Sequence, residues 1–128
     1  MVPLNGRETM LDLMVEMGLP VLLVARPGLG TLNHTLLSIQ ALRRARLDVM
    51  GVVLNQATPG RWGMIEEDNV RSIERLGMVR VLACIRYGDS MERIRRALVR
   101  GRVFRSRWFR EEGQSSPARP IRKNVPSA

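Results

Sequence analysis

Three short, nearly unbroken apolar runs decide what this chain can fold into: Leu19–Ala25, Val49–Leu54 and Val79–Ile85. None alternates apolar with polar residues as a half-solvated strand does. Continuous runs of this length suit parallel strands covered on both faces. The segments between them carry helical periodicity. Thr31 is read as the N-cap of a helix with Leu32, Leu36, Ile39 and Leu42 on one side and Arg43, Arg44 and Arg46 at its cationic end. A turn-rich loop from Asn55 to Gly63 precedes a helix over 66–76, with Val70, Ile73 and Leu76 inward. Ser90 caps a last helix that runs through Ile94, Ala97 and Leu98 towards Gly101. Ahead of the first strand, Thr9 and Asp12 open a short helix bearing Met10, Leu13, Met14 and Met17, which Gly18 ends. Strands alternating with helices predict right-handed crossovers and an open parallel sheet. With only three strands the sheet is incomplete, and Leu19–Ala25 or a neighbour becomes an apolar edge open to pairing. The fold class is therefore α/β, an incomplete parallel sheet with flanking helices.

With 128 residues, 45% of them hydrophobic, the chain is sized for one domain with a modest core. Its net charge is +9, yet Lys123 is its only lysine. Residues 1–100 therefore offer no amine for a Schiff base and no P-loop lysine. One cysteine, Cys84, and one histidine, His34, exclude an internal disulfide and a Cys/His metal cluster within the chain. The longest uncharged apolar stretch, Met17 to Ala25, falls far short of the roughly 20 residues of a membrane span, and no signal peptide is legible. A soluble, cytoplasmic protein is expected. Residues 1–100 read as the folded domain and 101–128 as a basic extension, with folded structure ending near Arg110 and disorder from about Gly113. Arg100–Arg110 interleaves arginine with Phe104, Trp108 and Phe109, a composition that can grip nucleic acid. Arginines scattered elsewhere and the lack of a nucleic-acid motif argue against it.

The loop from Arg26 to Asn33, RPGLGTLN, follows the first strand and opens a helix, where open α/β sheets bind ligands. Gly28 and Gly30 allow close backbone approach, and the N–H groups of Thr31, Leu32 and Asn33 are expected to face outward at the positive end of the helix dipole. A carboxylate or phosphate is the natural guest; a plain tight turn is the alternative. His34 reads as a packing or capping residue rather than a base, and Cys84 as a buried thiol.

The run LPVLLVARPGLGTLNHTLLSIQALRRARLDVMGVVLNQ resembles the C-terminal half of dethiobiotin synthase, the ATP-dependent enzyme of biotin synthesis. VPLNGRETMLDLM before it and NVRSIERLGMVRVLACIRYG after it keep the same order, so the resemblance covers roughly residues 2–90; GLGTLNHTLL is its most specific part. It implies the C-terminal half of a P-loop NTPase-like domain. It also implies a reaction: 7,8-diaminopelargonate is carboxylated with CO2, the carbamate is phosphorylated from MgATP, and the ureido ring closes with release of ADP and phosphate.

By that resemblance Gly28, Leu29, Gly30, Thr31, Leu32 and Asn33 hold the substrate carboxylate, reaching across a homodimer interface into the partner's active site. Asn55 reads the adenine ring, Arg86, Tyr87 and Gly88 line the purine pocket, and Asn69 falls near another substrate-proximal position. Arg86 stands where the family has proline, which either perturbs nucleotide binding or places an exposed cation over a phosphate. The family's Walker-A-like loop, its second lysine and the metal-binding EGAGG segment match nothing here. No residue of this chain is assigned as catalytic or as a metal ligand. The resemblance thus implies a truncated, inactive dethiobiotin synthase-like chain, partnered by a second copy or by a missing N-terminal half, with ATP and Mg2+ held only weakly. The alternatives are a non-catalytic module whose basic tail takes nucleic acid or an acidic partner, and an unstable fragment.

Overall fold

A computed structural model describes residues 2–103. The expected order is present: α1 (Met10–Met17), β1 (Val21–Ala25), α2 (Thr31–Arg44), β2 (Val49–Asn55), α3 (Met64–Gly77), β3 (Val81–Ile85) and α4 (Met91–Arg100). The predicted ends at Arg110 and Gly113, and most of the Arg100–Arg110 stretch, lie outside the described residues.

The sheet is parallel in the order β1-β2-β3, so the most buried strand is central and both others are edges. Val52 and Leu54 point to one face, where Ile39 of α2 and Ile73 of α3 join them in a fully buried cluster. Val53 points to the other, against Ala83, Val103 and the Ala97 and Leu98 side of α4. This two-sided burial is why the runs are continuous rather than alternating. The predicted open edge is real. α4 packs on β3, and Val24 of β1 is left 63% exposed.

Local signals act at the helix ends. At α1 the Asp12 carboxylate accepts from both the N–H and the hydroxyl of Thr9, 2.7 Å each, and these hydrogen bonds hold its carboxyl below the usual carboxylate range. Gly18 closes the helix in the left-handed region, its N–H donating to the carbonyls of Met14 and Val15. Ser90 Oγ accepts the Arg93 N–H at 3.3 Å, as expected of a cap.

Two expectations are corrected. The N-cap of α2 is Gly30, at φ 85°, and Thr31 is the first helical residue, its buried hydroxyl 3.3 Å from that of Thr35. Leu76 is exposed rather than inward, because the buried side of α3 is Asn69, Ser72, Ile73 and Gly77. A Cβ on Gly77 would stand 3.0 Å from Ile39 Cδ1, so α2 and α3 pack too closely there for a large side chain. The methionine and leucine stripe of α1 joins neither core cluster, and no residue of α1 is buried.

Candidate functional site

Parallel register brings the carboxyl ends of the three strands to one end of the sheet: Ala25 lies opposite Leu54, and Asn55 opposite Ile85. Apart from Asn69, which lies on α3, the residues singled out for binding lie at or just beyond these ends. The sheet thus gathers Gly28–Asn33, Asn55 and Arg86–Gly88 at its carboxyl end, the side on which open α/β sheets in general bind ligands.

The first loop is built from glycine and one buried amide. Gly30 needs its left-handed backbone to start α2, and a Cβ at Gly28 or Gly30 would meet nothing within 4 Å, so the approach to both is open. Thr31 does not offer a free N–H as expected; it donates to the Gly28 carbonyl at 3.2 Å. No side chain caps the helix, and the Leu32 and Asn33 amides have no acceptor among the described residues. Two donors at a dipole end therefore remain for an anion. Leu29 is 93% exposed at the tip. His34 is exposed on the next turn and lines, with Arg26, Thr31, Thr35 and Ser38, a cleft of about 280 Å³ beside the open edge of β1, so it is not the packing residue expected.

The second and third ends are tied together. Gln56, which sequence reasoning passed over, donates its N–H to the Ile85 carbonyl at 2.9 Å and its side-chain Nε2 to the Gly60 carbonyl at 2.9 Å. Its Oε1 stands 3.5 Å from the Tyr87 amide. Its position one residue past Asn55 on the central strand was the available signal. Asn55 itself is half-buried at the strand end. In the Arg86–Asp89 turn the Asp89 carboxylate accepts the Arg86 N–H at 2.9 Å and pairs with Arg93 at 3.4 Å, while Gly88 turns the chain at φ 77°. The guanidinium of Arg86 lies 5.5 Å from the centroid of Trp62, which holds this cation on the α3 side.

Below it Trp62, Glu67, Val70, Arg71, Cys84 and Arg86 line a second cleft of about 300 Å³. Cys84 is half-buried there rather than fully buried. Burial pushes its thiol above the ordinary range; Arg86 opposes that shift and Glu74 reinforces it. Alkylation by iodoacetamide is therefore expected to titrate in at a higher pH than for a cysteine peptide. A midpoint at or below that of the peptide would contradict the burial account.

No group of three or more His, Cys, Asp or Glu able to hold a metal ion occurs among the described residues. Among the same residues no helix is long and apolar enough to cross a membrane.

A parallel sheet with helices in its crossovers and its loops gathered at the carboxyl end defines an open α/β domain, and the family comparison agrees. A family model described as an AAA domain matches residues 1–95, and the chain belongs to that family of P-loop NTPase-like domains. Its sequence is dethiobiotin synthase-like. It is 44% identical over 103 residues to an ATP-dependent dethiobiotin synthetase of Anaeromyxobacter dehalogenans, covering 77% of this chain and 44% of that protein. It is 47% identical over 83 residues to the synthetase of the same name from Paramagnetospirillum magneticum, covering 65% of this chain and 37% of the relative. A biotin biosynthesis bifunctional protein of Bordetella avium is 48% identical over 84 residues, 66% of this chain and 17% of that protein. The chain thus spans less than half the length of these relatives.

Proposed function

We propose that this chain supplies the carboxylate-binding loop and the purine-facing strand ends for an ATP-dependent ureido ring closure on 7,8-diaminopelargonate and CO2, giving dethiobiotin, ADP and phosphate. The observation that carries the reading is the convergence of Gly28–Asn33, Asn55 and Arg86–Gly88 at one end of three adjacent strands.

In this reading the Leu32 and Asn33 amides donate to the substrate carboxylate, and the glycines on either side of Leu29 let it approach the backbone. Asn55 offers an amide that can both donate to and accept from an adenine edge. Gln56 holds the Tyr87–Gly88 backbone beside it. The Arg86 N–H is already taken by Asp89, so the purine is read from Asn55 and the Tyr87–Gly88 segment rather than from that amide.

The phosphates need other groups. Residues 1–100 contain no lysine and no GxxxxGK[ST], so they supply neither the P-loop cradle nor its lysine for charge developing at the β,γ-phosphates. A segment bearing that lysine completes the site, Mg2+ is held with it, and a homodimer brings the carboxylate loop to a partner's reaction centre. Cytoplasmic location belongs to the same proposal.

Amide shifts of the 15N-labelled chain test the two subsites separately. Titration with 7,8-diaminopelargonate is expected to move the Leu32 and Asn33 resonances, and ATP the Asn55 side-chain and Gly88 resonances. Saturable shifts confined to other residues would overturn the reading.

A further inference from the structure

The backbone of the Arg26–Gly30 loop is held by one long-range side chain. Asn69, on the inner side of α3, donates Nδ2–H to the Pro27 carbonyl at 2.8 Å across a separation of 42 residues. Asn69 is only 7% exposed and Pro27 is buried. The acceptor is a carbonyl, so the amide has a defined orientation, with nitrogen towards the loop. Among the described residues the other backbone hydrogen bonds of the loop are local, the Thr31 N–H to the Gly28 carbonyl and the His34 N–H to the Gly30 carbonyl. Those bonds shape the turn but do not fix where it sits over the sheet.

We propose that Asn69 is a positioning residue for anion binding: through Pro27 it sets the place of the Gly28–Gly30 turn, and hence of the Leu32 and Asn33 donors, without itself contacting the substrate. The inference rests on the carboxylate reading of that loop. Leaving a buried carbonyl without its donor costs more than a hydrogen bond is worth on average, so the loop moves or opens when the donor is lost. Asn69→Asp keeps the shape and replaces the donor with an acceptor facing Pro27. Asn69→Ser shortens the side chain so that it no longer reaches.

Two measurements on the full 128-residue chain test this. Without ligand, hydrogen exchange at the two bonded amides of the turn, Thr31 and His34, is expected to quicken about tenfold in both variants, the factor for losing one buried hydrogen bond, while β2 amides stay protected. With ligand, 7,8-diaminopelargonate binding is expected to weaken about tenfold and ATP binding to stay within about twofold, since the purine end is a separate site. Unchanged loop exchange, or equal losses for both ligands, overturns the assignment. So does loss of β2 protection in both variants, which makes Asn69 a general core residue. Wild-type protein that binds no 7,8-diaminopelargonate overturns the carboxylate reading itself. Wild-type binding that the variants retain in full overturns only the role of Asn69.

Discussion

Leu54→Ala is expected to remove about 2–5 kcal/mol of unfolding free energy, a large share of the roughly 5–15 kcal/mol that holds a domain of this size. Leu54 is fully buried on the central strand, between Ala25 and Cys84 in the ladder, and packs with Ile39, Val52 and Ile73. Strands on both sides and helices above leave little room for collapse around the lost methyl groups, so the cavity adds to the lost transfer energy. Val24→Ala, on the open edge, is expected to change stability by no more than about 0.5 kcal/mol, since most of that side chain already meets water. Urea unfolding of both variants reads the contrast. Equal midpoints would mean that the two-sided core is not what holds the sheet.

Much of this architecture was legible in the sequence because continuous apolar runs and turn signals are local. Val49–Leu54 falls within β2, and the Thr9–Asp12 and Ser90 helix starts are in place. The misreadings sit where a distant element decides. Leu76 continues the periodic stripe of α3, yet close approach of α2 demands Ser72 and Gly77 on that side, and no periodicity rule sees a neighbouring helix. From sequence the Thr31 amide reads as free because helix starts usually leave it so, but a local turn gives it the Gly28 carbonyl. The loop residues themselves were legible from glycine spacing. Their support was not, since the Asn69 contact with Pro27 depends on tertiary packing alone.

The second large effect concerns activity and is all-or-none. If residues 1–128 carry the carboxylate loop and purine face but no phosphate-binding lysine, the purified chain is expected to form no dethiobiotin from 7,8-diaminopelargonate, CO2 and MgATP. Transition-state charge on a transferring phosphoryl group is stabilised chiefly by such cations, and arginines at the surface of α4 do not replace them, because Arg93, Arg95 and Arg96 pair there with Asp89 and Glu92. Gly30→Val serves as the control within the chain. A β-branched residue is strained at φ 85°, so the variant displaces the turn that starts α2 without touching Asn55.

The most direct measurement co-expresses this chain with the part of the Paramagnetospirillum magneticum synthetase that it does not match, in cells that make no dethiobiotin of their own, and assays the product. Dethiobiotin that requires both polypeptides and is lost with Gly30→Val is the predicted result. Product formed equally well by Gly30→Val, or by this chain alone, or no product from a soluble, co-purifying pair, would contradict the account.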